Sequence, residues 1–222
     1  MRNLFRMDSK LMIWACKFAD LLWLNLLTGI FCLPVISIGS SLAAMHTVLL
    51  SIYRNEEAGI FKSFVRAFAQ NFGQSTIIWI LYLLNGLALG ICLYLDAKDI
   101  LEFPLFVKYI LYIAAVLTVV SAAWVFVLQS RYDNPVWVTI KNTFIIGIAH
   151  VKYTIGMVLL FIAPFVMMIL VPQAEPFVLF MGLSFPGFLQ AMMYSKVFIK
   201  IENMLESSPS DSAEISAADQ QE

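Results

Sequence analysis

Residues 21–53 form an unbroken run of 33 residues without Asp, Glu, Lys or Arg. As a single helix this run would be about 50 Å long, against a bilayer hydrocarbon core of about 30 Å. Its middle reads Leu33, Pro34, Val35, Ile36, Ser37, Ile38, Gly39, Ser40, Ser41. Proline breaks the helical ladder, and a Gly-Ser-Ser stretch favours a turn or a fresh N-cap. The run therefore predicts a hairpin turned at Pro34, Gly39, Ser40 and Ser41. Its limbs would cover about residues 14–33 and 37–53, each so short that the hairpin either spans or re-enters.

The rest of the chain follows suit. It is 61% hydrophobic and 13% charged, with mean hydropathy +0.83. Soluble domains hold roughly 45–50% apolar and roughly 25% charged residues, so both a soluble enzyme domain and general disorder are excluded. Uncharged runs place further spans at about 75–95, 109–130, 153–171 and 176–195. Five simple crossings would leave 6 basic residues inside and 8 outside, whereas six limbs leave 12 of the 14 inside. Lys and Arg accumulate on the cytoplasmic side, so the hairpin is favoured and both termini are expected in the cytoplasm.

Two segments read as lying on the membrane instead of crossing it. Over about 58–73, Phe61, Phe64, Val65, Phe68 and Phe72 take one helical face, with Lys62 and Arg66 opposite. Glu56 and Glu57 precede that helix, where its N-terminus favours acids. Over about 135–151, Asn134 and Pro135 open a second helix carrying Trp137, Ile140, Phe144 and Ile148. Each of these follows Phe61, Phe64, Phe68 and Phe72 by 76 residues. The match fits a duplicated unit of span, interfacial helix and span, or two amphipathic helices aligned by their common period.

No phosphate loop, metal-ligand spacing or nucleophile motif is present in the sequence, so no enzyme, cofactor or metal is expected. The polar residues within spans are few. Asn25, His46, Asn85 and Gln190 are the candidate intramembrane contacts, either lining a path or tying helices together. Buried ionisable groups are scarce, which argues against an ion-coupled transporter. Gly86 and Gly90 form a G-x-x-x-G that suits close packing within the bundle or between two copies. The three cysteines, in or beside apolar runs without paired spacing, read as buried and reduced. After Lys200 every charge is acidic. That excludes a basic nucleic-acid tail and predicts a disordered cytoplasmic extension over 201–222.

Several stretches together carry a resemblance. They are Met7-Asp8-Ser9, Ala19-Asp20-Leu21 with Asn25, the Cys32–Ser41 turn with Ala44, and Arg54-Asn55-Glu56-Glu57 leading into Ile60–Phe64 and Asn71-Phe72. Further on come Arg131–Asn134, Thr139–Asn142 and Ala149-His150. Over about residues 1–200 the chain resembles the YesL family, uncharacterised membrane proteins of Gram-positive-type bacteria. The resemblance implies an accessory role in carbohydrate uptake or its regulation, with a carbohydrate ABC transporter or a sensor kinase as partner. It implies no catalytic residues.

The expectation is thus an all-α polytopic bundle in the plasma membrane, with six limbs and two cytoplasmic interfacial helices. Besides the bilayer, its contact surface would be Arg54, Glu56, Glu57, Lys62, Arg66, Arg131, Lys141 and Asn142. An accessory or scaffold protein is the leading expectation, and a small transporter or channel for a neutral solute the alternative.

Overall fold

The computed structural model describes residues 10–56, 59–171, 173 and 175–206. Arg2, Arg6, Met7 to Ser9, Glu57, Pro172 and the acidic tail from Ser207 lie outside the described residues. Among the described residues eight α-helices follow one another: α1 Lys10–Cys32, α2 Ile38–Arg54, α3 Ile60–Ala97, α4 Leu105–Gln129, α5 Val136–Ala149, α6 Val151–Leu170, α7 Glu175–Met181 and α8 Ser184–Glu206. No strand occurs among the described residues. Five of these helices (α1, α2, α3, α4 and α6) are long and apolar enough to cross a membrane. The pair α7 and α8, bent by 50°, makes a sixth if the two are counted as one broken span.

α2 is the most buried of the long helices and packs against α1, α3, α4 and α8. Leu24, Leu49, Phe64, Trp124, Tyr194 and Phe198 meet in the core around it. Large apolar side chains such as Leu84, Ile113, Leu159 and Ile169 point outward instead. Water would not support so much exposed hydrocarbon, and lipid does.

The turn before α2 is built as its residues dictate. Pro34 holds extended dihedrals and ends α1, and a single 3-10 turn, Val35–Ser37, leads into α2. The Ser37 hydroxyl donates to the carbonyls of Phe31 at 2.6 Å and Pro34 at 2.8 Å, closing the frayed end. Gly39 then sits where three helices cross. A Cβ there would overlap the Ser75 carbonyl oxygen and lie 2.7 Å from Trp79 Cβ. Ser40 reaches the Phe72 carbonyl at 3.2 Å and the Thr76 hydroxyl at 3.3 Å.

The predicted interfacial helix over 58–73 is not a separate element. Residues 60–97 form one helix of 38 residues, about 57 Å long. No proline interrupts it, and Gly73 alone costs only about 1 kcal/mol against alanine. Its phenylalanine face turns partly inward: Phe64 is fully buried, and Phe31 packs edge-on against Phe64 and Phe68 at 5.3 and 4.9 Å. The second segment does form its own helix, α5. The face of α5 that packs inward carries Thr139, Thr143 and Gly147, while Trp137, Lys141 and Ile148 are exposed. Gly147 permits that approach, since a Cβ would lie 2.7 Å from Val120 Cγ1 on α4.

The 76-residue offset is visible in the helices. α3 begins at Ile60 and α5 at Val136, 76 residues on; α2 ends at Arg54 and α4 at Gln129, 75 residues on. α2 packs chiefly on α3, and α4 on α5. Val48 and Trp124, Ala67 and Thr143, and Ile78 and Thr154 are buried at equivalent places. These bounds favour the duplicated unit. The second copy is broken at His150, where the backbone leaves helical dihedrals at φ −121°, whereas the first runs straight through. The Thr154 hydroxyl, which hydrogen-bonds the Gly147 carbonyl at 2.9 Å, bridges the break.

Gly86 and Gly90 do not pack within the bundle. Both are exposed, and a Cβ at either would meet nothing within 4 Å. The cysteines also depart from expectation: Cys16 is exposed and Cys32 and Cys92 are half-buried, all three free.

Candidate functional site

The four candidate intramembrane contacts fall into two groups. Asn25 and Asn85 are ties. The Asn25 amide donates to the Leu179 carbonyl at 2.7 Å, and its Oδ1 accepts from the Leu183 and Ser184 amides at 2.9 and 3.0 Å. One side chain of α1 therefore bridges the break between α7 and α8, satisfying backbone groups that the break leaves free. Asn85 donates to the Thr118 hydroxyl at 2.9 Å, joining α3 to α4 on an exposed face. Neither residue lines a shared path.

His46 and Gln190 do come together. Both are buried and line a cavity of about 430 Å³ enclosed by α2, α3, α4, α6 and the α7–α8 region. Small residues open this space: Ala122 and Ala123 on α4, and Gly182 and Gly187. Gly187 also lets α2 approach, as a Cβ there would lie 2.8 Å from Leu49 Cδ1. Apart from His46, Trp79 and Gln190, the wall is apolar. The Gln190 amide donates to the Met157 carbonyl at 2.8 Å and is committed. His46 Nδ1 and Trp79 Nε1 are buried without a hydrogen-bond partner. The His46 ring instead stands edge-on to Tyr194 at 5.7 Å, and the Tyr194 hydroxyl donates to the His46 carbonyl at 3.4 Å. On one side the wall is open: Val119, Phe161 and Ile162 are 48%, 51% and 43% exposed, in the middle of α4 and α6.

Residues 19–96 match a family model described as a protein of unknown function, DUF624. No curated protein and no solved structure matches the chain. The DUF624 match covers most of α1, all of α2 and nearly all of α3. It thus contains Asn25, the Pro34–Ser41 turn, His46 and Trp79, while Gln190 and the α4 and α6 walls lie beyond it.

Further polar ties join the helices. Ser121 links Tyr82 of α3 to Thr143 of α5, with Ser121 and Thr143 hydroxyls 2.6 Å apart. Trp124 donates to the Thr154 hydroxyl at 2.8 Å, and Gln129 donates to Gln74 at 2.7 Å. Sequence reasoning missed Trp79, Ser121, Thr143 and Thr154. The hydroxyls could have been found as polar residues inside apolar runs, but nothing in the sequence separates Trp79 from a tryptophan facing lipid.

The predicted contact surface is only partly free. Arg54 lies 3.9 Å from Glu56. Lys62, Arg66 and Lys141 are exposed, and Asn142 is half-buried. Arg131 instead grips α8, its Nη2 2.8 Å and Nε 3.2 Å from Glu202 Oε1, with the Tyr132 hydroxyl donating to the same oxygen at 3.3 Å. Burial and the Glu202 carboxylate push the Tyr132 phenol above its usual range, so it stays a neutral donor. Both ion-pair side chains are about a quarter to a third exposed. A double-mutant cycle of Arg131→Ala and Glu202→Ala should therefore give a coupling of only about 0.2–1 kcal/mol in thermal unfolding. A coupling of several kcal/mol would mean that this pair is desolvated in the membrane.

Proposed function

We propose that the chain is a non-enzymatic accessory or scaffold protein of the plasma membrane. Both termini face the cytoplasm in this reading, because 12 of the 14 basic residues then obey the positive-inside rule. The observation that carries the reading is the closed bonding of Asn25 and Asn85. A conducting path for a hydrophilic solute needs polar groups left free along its length, and these two amides are held in interhelical ties. The His46 cavity offers too few hydrogen-bonding groups for a sugar, whose hydroxyls would each lose water on entry.

The partner class rests on the likeness to YesL-family proteins, which supports a carbohydrate ABC transporter or a sensor kinase. The exposed Lys62, Arg66, Trp137 and Lys141 would meet it at the cytoplasmic face. The outward Gly86 and Gly90 suit a helix-to-helix contact with that partner or with a second copy.

Photo-crosslinking from positions 62 and 141 in native membranes, followed by mass spectrometry, tests the reading. A permease or sensor subunit should be captured at both positions. A small transporter or channel for a neutral solute is the alternative, supported by the cavity itself. Purified protein in liposomes should leave radiolabelled sugar uptake at the level of empty vesicles. Uptake above that level would overturn the accessory role.

A further inference from the structure

We propose that the break at His150 is a two-position joint. Thr154, held by Trp124, latches α5 and α6 in the bent position, and its release lets them run on as one straight helix like α3. Nothing in the local sequence breaks this helix, since Ile148 to Tyr153 include neither proline nor glycine. Kinks otherwise come from a π-bulge or from a side chain that enters the backbone ladder. No π turn occurs among the described residues, and Thr154 does enter the ladder. Its hydroxyl lies 2.9 Å from the Gly147 carbonyl oxygen and 3.2 Å from that of His150. In a straight helix a threonine hydroxyl reaches the carbonyl three or four residues back. Gly147 is seven back, about one turn or about 5 Å beyond that reach. The Thr154–Gly147 bond therefore exists in the bent position alone. In the straight position the same carbonyl would take the Val151 amide.

α4 holds the latch from outside. Trp124 Nε1 donates to the Thr154 hydroxyl at 2.8 Å, and both side chains are buried. On the other side of the break the Ser121 and Thr143 hydroxyls lie 2.6 Å apart, and Gly147 crosses close to Val120. Residues 120–124, little more than one turn of α4, therefore grip both arms of the joint. The duplicated unit supplies the comparison. At the equivalent buried places the first copy carries Val48 for Trp124, Ala67 for Thr143 and Ile78 for Thr154. None of these side chains can hydrogen-bond, and there the helix runs unbroken over Ile60–Ala97. The copy with the indole and the hydroxyls is the bent one. One state is favoured over another only by contacts that differ between them, and the Thr154–Gly147 bond is such a contact. The exposed Trp137 and Lys141 ride on α5, so the joint sets where they stand relative to α6. It does so whatever docks on them.

The test uses the full chain in lipid nanodiscs, with Cys16, Cys32 and Cys92 replaced by alanine. Spin labels go to the exposed pair Lys141→Cys and Leu159→Cys across the joint, and to the exposed pair Lys62→Cys and Ile80→Cys on the straight α3. Both pairs have the same spacing, five helical turns, or about 27 Å along a straight helix. Pulsed electron paramagnetic resonance should read about that distance on α3 and a shorter one across the joint. Thr154→Val, which keeps the shape and removes the hydroxyl, should lengthen the joint distance to the α3 value. Thr154→Ser, which keeps the hydroxyl, should leave it short. Trp124→Phe leaves Thr154 in place and removes its holder, so both distances should appear in one sample. That variant decides the matter where Thr154→Val does not fold. The proposal fails if folded Thr154→Val keeps the short distance, or if Trp124→Phe shows the short distance alone. It fails equally if Thr154→Ser lengthens the distance as far as Thr154→Val does, or if the unsubstituted joint already matches α3.

Discussion

Replacing Asn25 with alanine should cost about 2–5 kcal/mol of bundle stability, taking three interhelical bonds at about 0.6–1.7 kcal/mol each. The residue is 4% exposed, and it bridges the break between α7 and α8 by itself. Without it the Leu179 carbonyl and the amides of Leu183 and Ser184 lose their partner inside the bundle, where water is scarce. Asn25→Asp should be milder, because a carboxyl kept neutral by burial still accepts from both amides and can donate its O–H to Leu179. Thermal unfolding in detergent, read by aggregation or by tryptophan fluorescence, would order the variants as unsubstituted, aspartate, alanine. Equal melting temperatures for all three would show that the break is held by packing alone.

Gly39→Ala is expected to be nearly as damaging, at about 1–3 kcal/mol, through overpacking. The added methyl would meet the backbone of Ser75 and the Cβ of Trp79, neither of which is the flexible end of a side chain. α2 and α3 would have to separate, and the hydrogen bonds of Ser40 to Phe72 and Thr76 would lengthen with them. Gly86→Ala makes the matched control. It sits in open space on the same α3, so removing a helix glycine there should stabilise by up to about 1 kcal/mol. If both substitutions moved the melting temperature in the same direction, the crossing at Gly39 would not be the tight point described here.

Much of this fold can be read from the chain because charge is rare in it. Arg54, Lys98 and Arg131 mark where helices end, and Pro34 with Gly39 marks where the first hairpin turns. Continuity was harder to read. Residues 60–73 have the period of a surface helix, and that period is blind to whether the helix stops at Gly73 or carries on. Gln74, bonded to Gln129, ties the region to α4 within a helix that local pattern alone did not reveal. The site was half legible. His46 and Gln190 stand out as polar residues in apolar runs, but so do Asn25 and Asn85, and only packing decides which amides are tied and which face a cavity. Trp79 shows the limit: its unmet N–H is a property of its neighbours.

The uninterrupted course of α3 has a mechanical consequence. At about 57 Å it is nearly twice the hydrocarbon thickness of about 30 Å. Fitting it wholly inside would need a tilt well beyond the roughly 0–40° seen for membrane helices. It therefore projects from the bilayer, and Lys62 and Arg66 mark the projecting end. At the far end, Asn85 is joined to Thr118, and Asp96 to Lys108 at 2.9 Å, pinning it to α4. Between these ends Phe64 packs on Phe31, Ser75 meets Gly39 and Gln74 bonds Gln129, so α3 is clamped along the buried part of its length and its projecting end is held at a fixed angle.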